Sequence, residues 1–347
     1  MSFFALSNLT AKSQIGIDEP ASFELLEPRT IEEAARMMRD HGTEAVLLAG
    51  GCDILEKIKT QWVRPKYVVN LKTVSGLNAI EGDSIGTLTT LSQVAKDKSL
   101  PQALREAAGR VATPQIRNVG TIGGNVLQDS RCPYYRGPWN CYRAGGVTCD
   151  AVRGFTYEHA LWGGERCYTV TPSDTAPALV ALGAQAEIWS WPALTPGMAR
   201  RVPIEDLFAL PSFDITKMNK LQPDELLRGI TLPGSTSKRS VFRKAAMRNA
   251  WDFALASVAV AAQMDGERCS EIRIVLGAVA PIPWRATEAE NILRGAPLKA
   301  ARLEDAVQAS VSGAQPLTHN HYKIGLVKNL VRECLAEIAA GPAVKHG

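Results

Sequence analysis

TPQIRNVGTIGGNVLQ, residues 113–128, is the stretch on which the architecture turns. It mixes β-branched residues with Gly120, Gly123 and Gly124, all within five positions. Glycine allows a sharp turn and leaves backbone N–H groups uncovered, and consecutive uncovered N–H groups form a concavity that suits an anion. Thr121 and Asn125 add side-chain donors. A turn beside a β-bulge is the alternative reading of the same residues.

Upstream, LLAGGCDIL (47–55) repeats the theme, with an apolar strand over 45–49 running into Gly50-Gly51. This is not the G-x-G-x-x-G fingerprint, so no Rossmann domain is expected. Either it is a tight strand-to-helix turn, or the two loops together clamp one diphosphate. Around it, Thr30 and Glu33 form a capping-box signature. Ile31, Ala34, Ala35 and Met38 recur at helical spacing until Gly42, and YVVNLK (67–72) predicts a strand.

Downstream, residues 92–110 predict a helix interrupted near Pro101, and 173–189 predict a helix followed by a strand. Residues 223–233 predict a turn and a strand, and 254–264 and 270–280 a strand pair. Residues 318–339 form an amphipathic helix with Val327, Leu330, Val331, Cys334, Leu335 and Ile338 on one side. The pattern divides into an N-terminal arm (1–20), a first unit (21–82), a second unit (83–235) and a C-terminal α+β domain (236–347).

Composition excludes several classes. At 347 residues, 46% hydrophobic and 21% charged, the chain is an ordinary globular one. A net charge of +4 without a basic run gives no footprint for nucleic acid. No apolar run of about 18 residues suggests a membrane span, and the N-terminus lacks the pattern of a secretory signal. A cytoplasmic location is therefore expected, with co-export on a signal-bearing partner as the alternative.

Four of the seven cysteines, Cys132, Cys141, Cys149 and Cys167, fall within the 130–170 segment. Their spacing matches neither a zinc ribbon nor a ferredoxin. Four thiolates are nonetheless the usual ligand count of a [4Fe–4S] cube. Tyr134, Tyr135, Trp139, Tyr142, Phe155, Tyr157, Trp162 and Tyr168 could exclude water from such a centre, and Arg131, Arg136, Arg143, Arg153 and Arg166 could offset its charge. Zinc and plain thiols remain open readings of the same residues.

Taken in order, LLAGGCDIL, TPQIRNVGTIGGNVLQ, TPSDTAPALVALGA, DELLRGITLP and FRKAAMRNAWDFALASVAVA resemble the FAD-binding medium subunits of the molybdenum hydroxylases, across nearly the whole chain. The insertion, including YEHALWGG, resembles that of the aldehyde oxidoreductase branch, and less closely the 4-hydroxybenzoyl-CoA reductase β subunits. The resemblance implies an α+β chain: a two-subdomain FAD-binding fold of the vanillyl-alcohol-oxidase type, then a C-terminal domain of the carbon monoxide dehydrogenase flavoprotein type. It implies FAD contacts from Leu47, Leu48, Ala49, Gly50, Gly51 and Cys52, and from Ala112, Ile116, Gly120, Thr121, Gly124, Asn125 and Leu127. It further implies contacts from Ser173, Asp174, Leu227 and Lys244, and a [4Fe–4S] cluster on Cys132, Cys141, Cys149 and Cys167.

Cys52 stands where threonine or serine is usual, and a thiol is the weaker donor. Asp174 alternatively caps the following helix, Lys244 and Arg248 alternatively form a solvated face, and Trp251, Phe253 and His159 are expected to be structural. No acid–base or nucleophile constellation emerges. The implied role is electron relay beside a large molybdenum-cofactor subunit and a small [2Fe–2S] subunit, toward an external acceptor. Alternatives are inward electron flow of the 4-hydroxybenzoyl-CoA reductase kind, a stand-alone flavin oxidase, and a zinc-stapled assembly protein without flavin.

Overall fold

The computed structural model describes residues 22–190, 199–234 and 237–341. The expected N-terminal arm, residues 1–20, lies outside them.

A small parallel sheet opens the chain. β1 (Glu24–Leu26), β3 (Tyr67–Asn70) and β2 (Ala45–Leu48) lie in the order β1-β3-β2. Helix α1 (Ile31–His41) packs Ala34, Ala35 and Met38 against Val69 and Leu71. Thr30 caps α1 by accepting from the Glu33 N–H, but the Glu33 carboxylate accepts from the N–H of Arg29 rather than from that of Thr30. The capping box is therefore only half formed.

A second, antiparallel sheet has the order β4-β5-β8-β6-β7. Its strands are Ile80–Glu81, Ser84–Gly86, Leu226–Thr231, Gln185–Trp189 and Arg200–Pro203, in that spatial order. Trp189 and Leu226 of this sheet join the core of α1 and the small parallel sheet, so the two sheets are packed together. Helices α2 (Ile54–Lys59), α3 (Leu91–Lys96) and α4 (Gln102–Gly109) precede the glycine-rich stretch. Proline 101 separates α3 from α4, as its missing N–H requires.

The stretch 113–128 does not form the turn beside a β-bulge that is its alternative reading. It forms two short helices, α5 (Pro114–Val119) and α6 (Ile122–Val126), capped by the hydroxyls of Thr113 and Thr121.

The C-terminal sheet runs β12-β11-β10-β9, with β9 at Arg239–Ala245, β10 at Ala256–Asp265, β11 at Arg268–Gly277 and β12 at Trp284–Arg285. β10 and β11 pair antiparallel, with Val260 opposite Ile274. Residues 256–262 are continuously apolar apart from Ser257 because both faces are covered. Phe242, Ala259, Ala261 and Val275 face helices α4 and Thr175–Leu182, whereas Val258, Val260, Ile272 and Ile274 face the terminal helix Tyr322–Ala340 and its neighbours.

That terminal helix carries an anomaly. Lys323 is fully buried, and its ammonium donates to the Ala278 carbonyl at 2.9 Å. Burial pushes its pKa from 10.5 down to about 7, with the Glu158 charge opposing. A pKa lowered on folding costs stability wherever the unfolded chain still holds the proton, here in full below about pH 7 and by a shrinking amount up to about 10.5. Lys323→Met should therefore raise the urea midpoint at pH 7 by an amount worth about 2 kcal/mol, after allowing for the orphaned carbonyl. The gain should vanish as pH approaches 10.5. A lower midpoint at pH 7 would contradict this reading.

Candidate flavin site

The two glycine loops meet. A Cβ on Gly50 would lie 2.3 Å from the Val119 carbonyl oxygen and 3.0 Å from Gly120 Cα. The loop after β2 therefore packs directly on the loop joining α5 to α6. A Cβ on Gly123 would fall 1.9 Å from Thr87 Oγ1, which pins α6 to the second sheet. Between the loops opens a cavity of about 930 Å³, near the top of the ~300–1,000 Å³ range of small-molecule sites. Its size and its backbone cradle, which any side chain at residue 50 would fill, fit an extended dinucleotide.

Most of the expected contact residues line this cavity: Leu47, Ala49, Gly50, Gly51 and Cys52 from the first loop, and Ala112, Ile116, Gly120, Thr121, Gly124, Asn125 and Leu127 from the second. Asp174 and buried Leu227 also line it, whereas Leu48, Ser173 and Lys244 do not. The Cys52 thiol lies 3.8 Å from the Gly50 carbonyl of its own loop, which accepts its weak hydrogen bond. Burial raises its pKa, so the thiol stays protonated.

Asn125 is held from behind. Its Oδ1 accepts from Ser173 Oγ at 2.8 Å, Thr175 Oγ1 at 2.6 Å and the Thr175 N–H at 3.3 Å. Three donors on the oxygen fix the amide orientation, so its NH₂ group is the part left for a ligand. Ser173 thus acts through Asn125. Asp174 occupies the cap position of helix Thr175–Leu182 without making a capping bond. It pairs instead with Lys244 at 2.6 Å, the two side chains being 5% and 3% exposed. Lys244 is therefore no part of a solvated face, while Arg248 is exposed and pairs with Asp252.

Sequence reasoning missed the mouth of the site. Trp251 and Phe253, expected in a core, are 61% and 44% exposed and line the cavity. Trp251 has φ +77 and its N–H donates to the carbonyl of Ala112, itself at φ +41. Two non-glycine residues in the left-handed region, bonded to each other at a cavity, mark strain held at a functional surface. No periodicity signals such a conformation.

Three of the five arginines expected beside a cluster, Arg131, Arg136 and Arg143, serve another purpose. Arg131 and Arg136 both pair with Asp53, at 3.1 and 2.8 Å, and Arg131 also pairs with Glu56 at 2.5 Å. Asp129 receives Lys57 at 2.8 Å, Arg143 at 2.9 Å and the Tyr135 hydroxyl at 2.7 Å. The insertion thereby clasps the segment after the first glycine loop. Burial pushes the Asp129 carboxyl up, but Arg143 and Lys57 outweigh it and hold it well below the usual carboxylate range. A depressed carboxylate contributes stability above its unfolded pKa of about 4 and loses it as pH falls. Asp129→Asn should lower stability at pH 7 by about 3 kcal/mol, since Arg143, 3% exposed, loses its counter-charge. The deficit should shrink below pH 4; equal urea midpoints at pH 7 would refute it.

The iron–sulfur expectation is corrected. Among the described residues, no group of three or more His, Cys, Asp or Glu side chains is arranged to hold a metal ion. Cys132, Cys141, Cys149 and Cys167 do line one cavity, but it measures about 10 Å³, the room of about one water. Burial pushes the Cys132 thiol up to about 12 and raises Cys149 and Cys167 as well, which disfavours the thiolates that metal ligation needs. Three of the five charges that were to balance a cluster, those of Arg131, Arg136 and Arg143, are already matched by Asp53, Glu56 and Asp129. Nor do the aromatics form a sealed wall: Trp139, Phe155 and Tyr157 are exposed. His159 is buried, with Nε2 3.4 Å from Cys132 Sγ.

Comparison with known proteins agrees with the geometry. A family model described as the FAD binding domain in molybdopterin dehydrogenase matches residues 21–235, and one described as the CO dehydrogenase flavoprotein C-terminal domain matches residues 241–338. The chain belongs to this family, as an FAD-binding electron-transfer subunit of a heteromeric molybdenum hydroxylase.

Among its relatives is the aldehyde oxidoreductase FAD-binding subunit PaoB of Escherichia coli (strain K12), 33% identical, with 85% of this chain and 92% of the relative covered. The xanthine dehydrogenase FAD-binding subunit of Escherichia coli O157:H7 is 27% identical, with 91% and 96% covered. The solved carbon monoxide dehydrogenase from Hydrogenophaga pseudoflava superposes with a TM-score of 0.69 at 25% identity, over 92% of this chain and 98% of the other. These matches bear out the expected two-part fold. No helix among the described residues is long and apolar enough to cross a membrane.

Proposed function

We propose that this chain passes electrons from a partner molybdenum hydroxylase acting on aldehydes or N-heterocycles to an external acceptor, through FAD held between the two glycine loops. The observation that carries the reading is the single 930 Å³ cavity lined by both loops. FAD supplies the electron chemistry, and the protein's share is to bind, orient and shield it. Gly50, Gly51, Gly120, Gly124 and the Asn125 amide would hold the polar part. Leu47, Leu127 and Leu227 would shield the ring from water. Asp174, Ser173 and Lys244 would brace the wall behind. The packing of Gly50 on Val119 and Gly120 would set the width of the cradle.

A large molybdenum-cofactor subunit and a small [2Fe–2S] subunit are the expected partners. Aldehyde chemistry is favoured by the name of the 33%-identical relative, whereas other relatives are named for xanthine and nicotine. The test is to isolate the assembled complex and supply aldehydes, purines and pyridines in turn, while following bleaching of the flavin bands. Bleaching by an aldehyde or an N-heterocycle supports the reading. Bleaching by none of them, with FAD bound, would overturn it.

A further inference from the structure

Trp251 and Phe253 both line the mouth of the flavin cavity, yet only one of them has a partner there. The Arg131 guanidinium sits 5.4 Å above the Phe253 ring. Among the described residues no ring stacks on the Trp251 indole and no cation lies over it. Indole is the largest side chain, and at 61% exposure it forgoes most of what its burial would contribute to the fold.

The backbone that presents this ring is nonetheless held firmly. Trp251 lies in the loop 246–255, between β9 and β10. Its N–H donates to the Ala112 carbonyl at 3.0 Å. Arg117 Nη1 steadies the acceptor side, donating to the Val111 carbonyl at 2.7 Å and to that of Ala112 at 3.4 Å. The next residue is fixed twice: the Asp252 carbonyl accepts from Lys244 at 2.9 Å, and its carboxylate from Arg248 Nη2 at 2.6 Å. A φ of +77 is strained for a bulky side chain. These anchors therefore hold a strained residue in place while its ring stays free at the cavity.

FAD carries two flat ring systems, isoalloxazine and adenine, at opposite ends of its diphosphate. Along the second glycine segment Ala112 precedes α5 and Leu127 follows α6, with Gly120 and Gly124 of the cradle between them. Leu127 belongs with the apolar residues that would keep water from the isoalloxazine. Trp251 is bonded to the other end of the segment, at the exposed rim. Adenine takes no part in electron transfer and tolerates such exposure.

We propose that the Trp251 indole stacks on the adenine of bound FAD, so that the C-terminal domain supplies part of the cofactor site. The inference rests on the flavin-carrier reading above.

The test uses the full-length chain freed of flavin, with FAD and FMN as probes, since FMN lacks the adenylate half. A parent chain that binds no FAD defeats the flavin-carrier reading, whereas a parent that binds it and variants that bind it equally well defeat only this inference. In Trp251→Ala, calorimetry should show FAD bound about 10-fold more weakly, the worth of one base stacked on an aromatic ring. FMN should show no such loss. The FMN arm separates stacking from misfolding, which would weaken both ligands alike. Trp251→Phe keeps a flat ring and should restore FAD affinity to within about 3-fold of the parent. Unchanged FAD affinity in Trp251→Ala, an equal loss for FMN, or Trp251→Phe binding FAD no better than Trp251→Ala would each overturn the proposal.

Discussion

Gly50→Ala is expected to cost the protein its FAD while leaving its sheets folded. The added methyl would lie 2.3 Å from the Val119 carbonyl oxygen. That oxygen belongs to backbone, and its neighbour Gly120 donates its own N–H to the Ile116 carbonyl at 2.7 Å. Neither loop can yield by turning a side chain, so the two must separate and the cradle widens. Loss of several backbone contacts to one ligand should weaken FAD binding at least about 100-fold, equivalent to ~2.7 kcal/mol. Far-ultraviolet circular dichroism should be unchanged. Gly325→Ala is the control, since nothing lies within 4 Å of its added Cβ and alanine favours the helix interior by about 1 kcal/mol. If Gly50→Ala retains FAD with the parent's affinity, the loops do not form the cradle.

Lys244→Met should produce the largest loss of stability. The Lys244 ammonium donates to Asp174 Oδ2 at 2.6 Å, to the Asp252 carbonyl at 2.9 Å and to the Arg110 carbonyl at 3.1 Å, using all three of its protons. It thereby joins β9 to the end of α4, to the strained loop at the cavity mouth and to the acid at the start of helix Thr175–Leu182. Burial pushes the Asp174 pKa up, with Lys244 acting to hold it down. Removing the lysine strands a buried carboxylate, and breaking such a pair from one side costs about 3–5 kcal/mol. Urea unfolding should show that loss, and the double variant Lys244→Met, Asp174→Asn should recover part of it. If the single variant unfolds at the parent's urea concentration, the pair carries no such weight.

Much of the fold is legible in the sequence because local rules and tertiary packing agree. Proline 101 parts two helices, apolar residues recur at helical spacing on the terminal helix, and the strand pair of the C-terminal sheet follows its apolar runs. The site is half legible. Gly50, Gly51, Gly120, Gly123 and Gly124 announce backbone that must stay uncovered, but not that Gly50 meets Val119. Residues 113–128 conceal two helices because five or six residues are too few for helical periodicity to emerge. Arg131 and Arg136 stand near cysteines in sequence yet pair with Asp53 and Glu56, more than 70 positions away. Residue counting finds four thiols close together but says nothing of the room between them. Trp251 and Phe253 look like core because their exposure depends on a strained turn that no residue pattern encodes.

The central claim is that two glycine loops and one cavity make this chain a flavin carrier. Anaerobic titration of the purified full-length chain with FAD, followed by gel filtration and the visible spectrum of the protein peak, tests it most directly. One equivalent of FAD retained, with flavin bands in the parent and none in Gly50→Ala, is the predicted result. A parent chain that emerges colourless from saturating FAD would contradict the account.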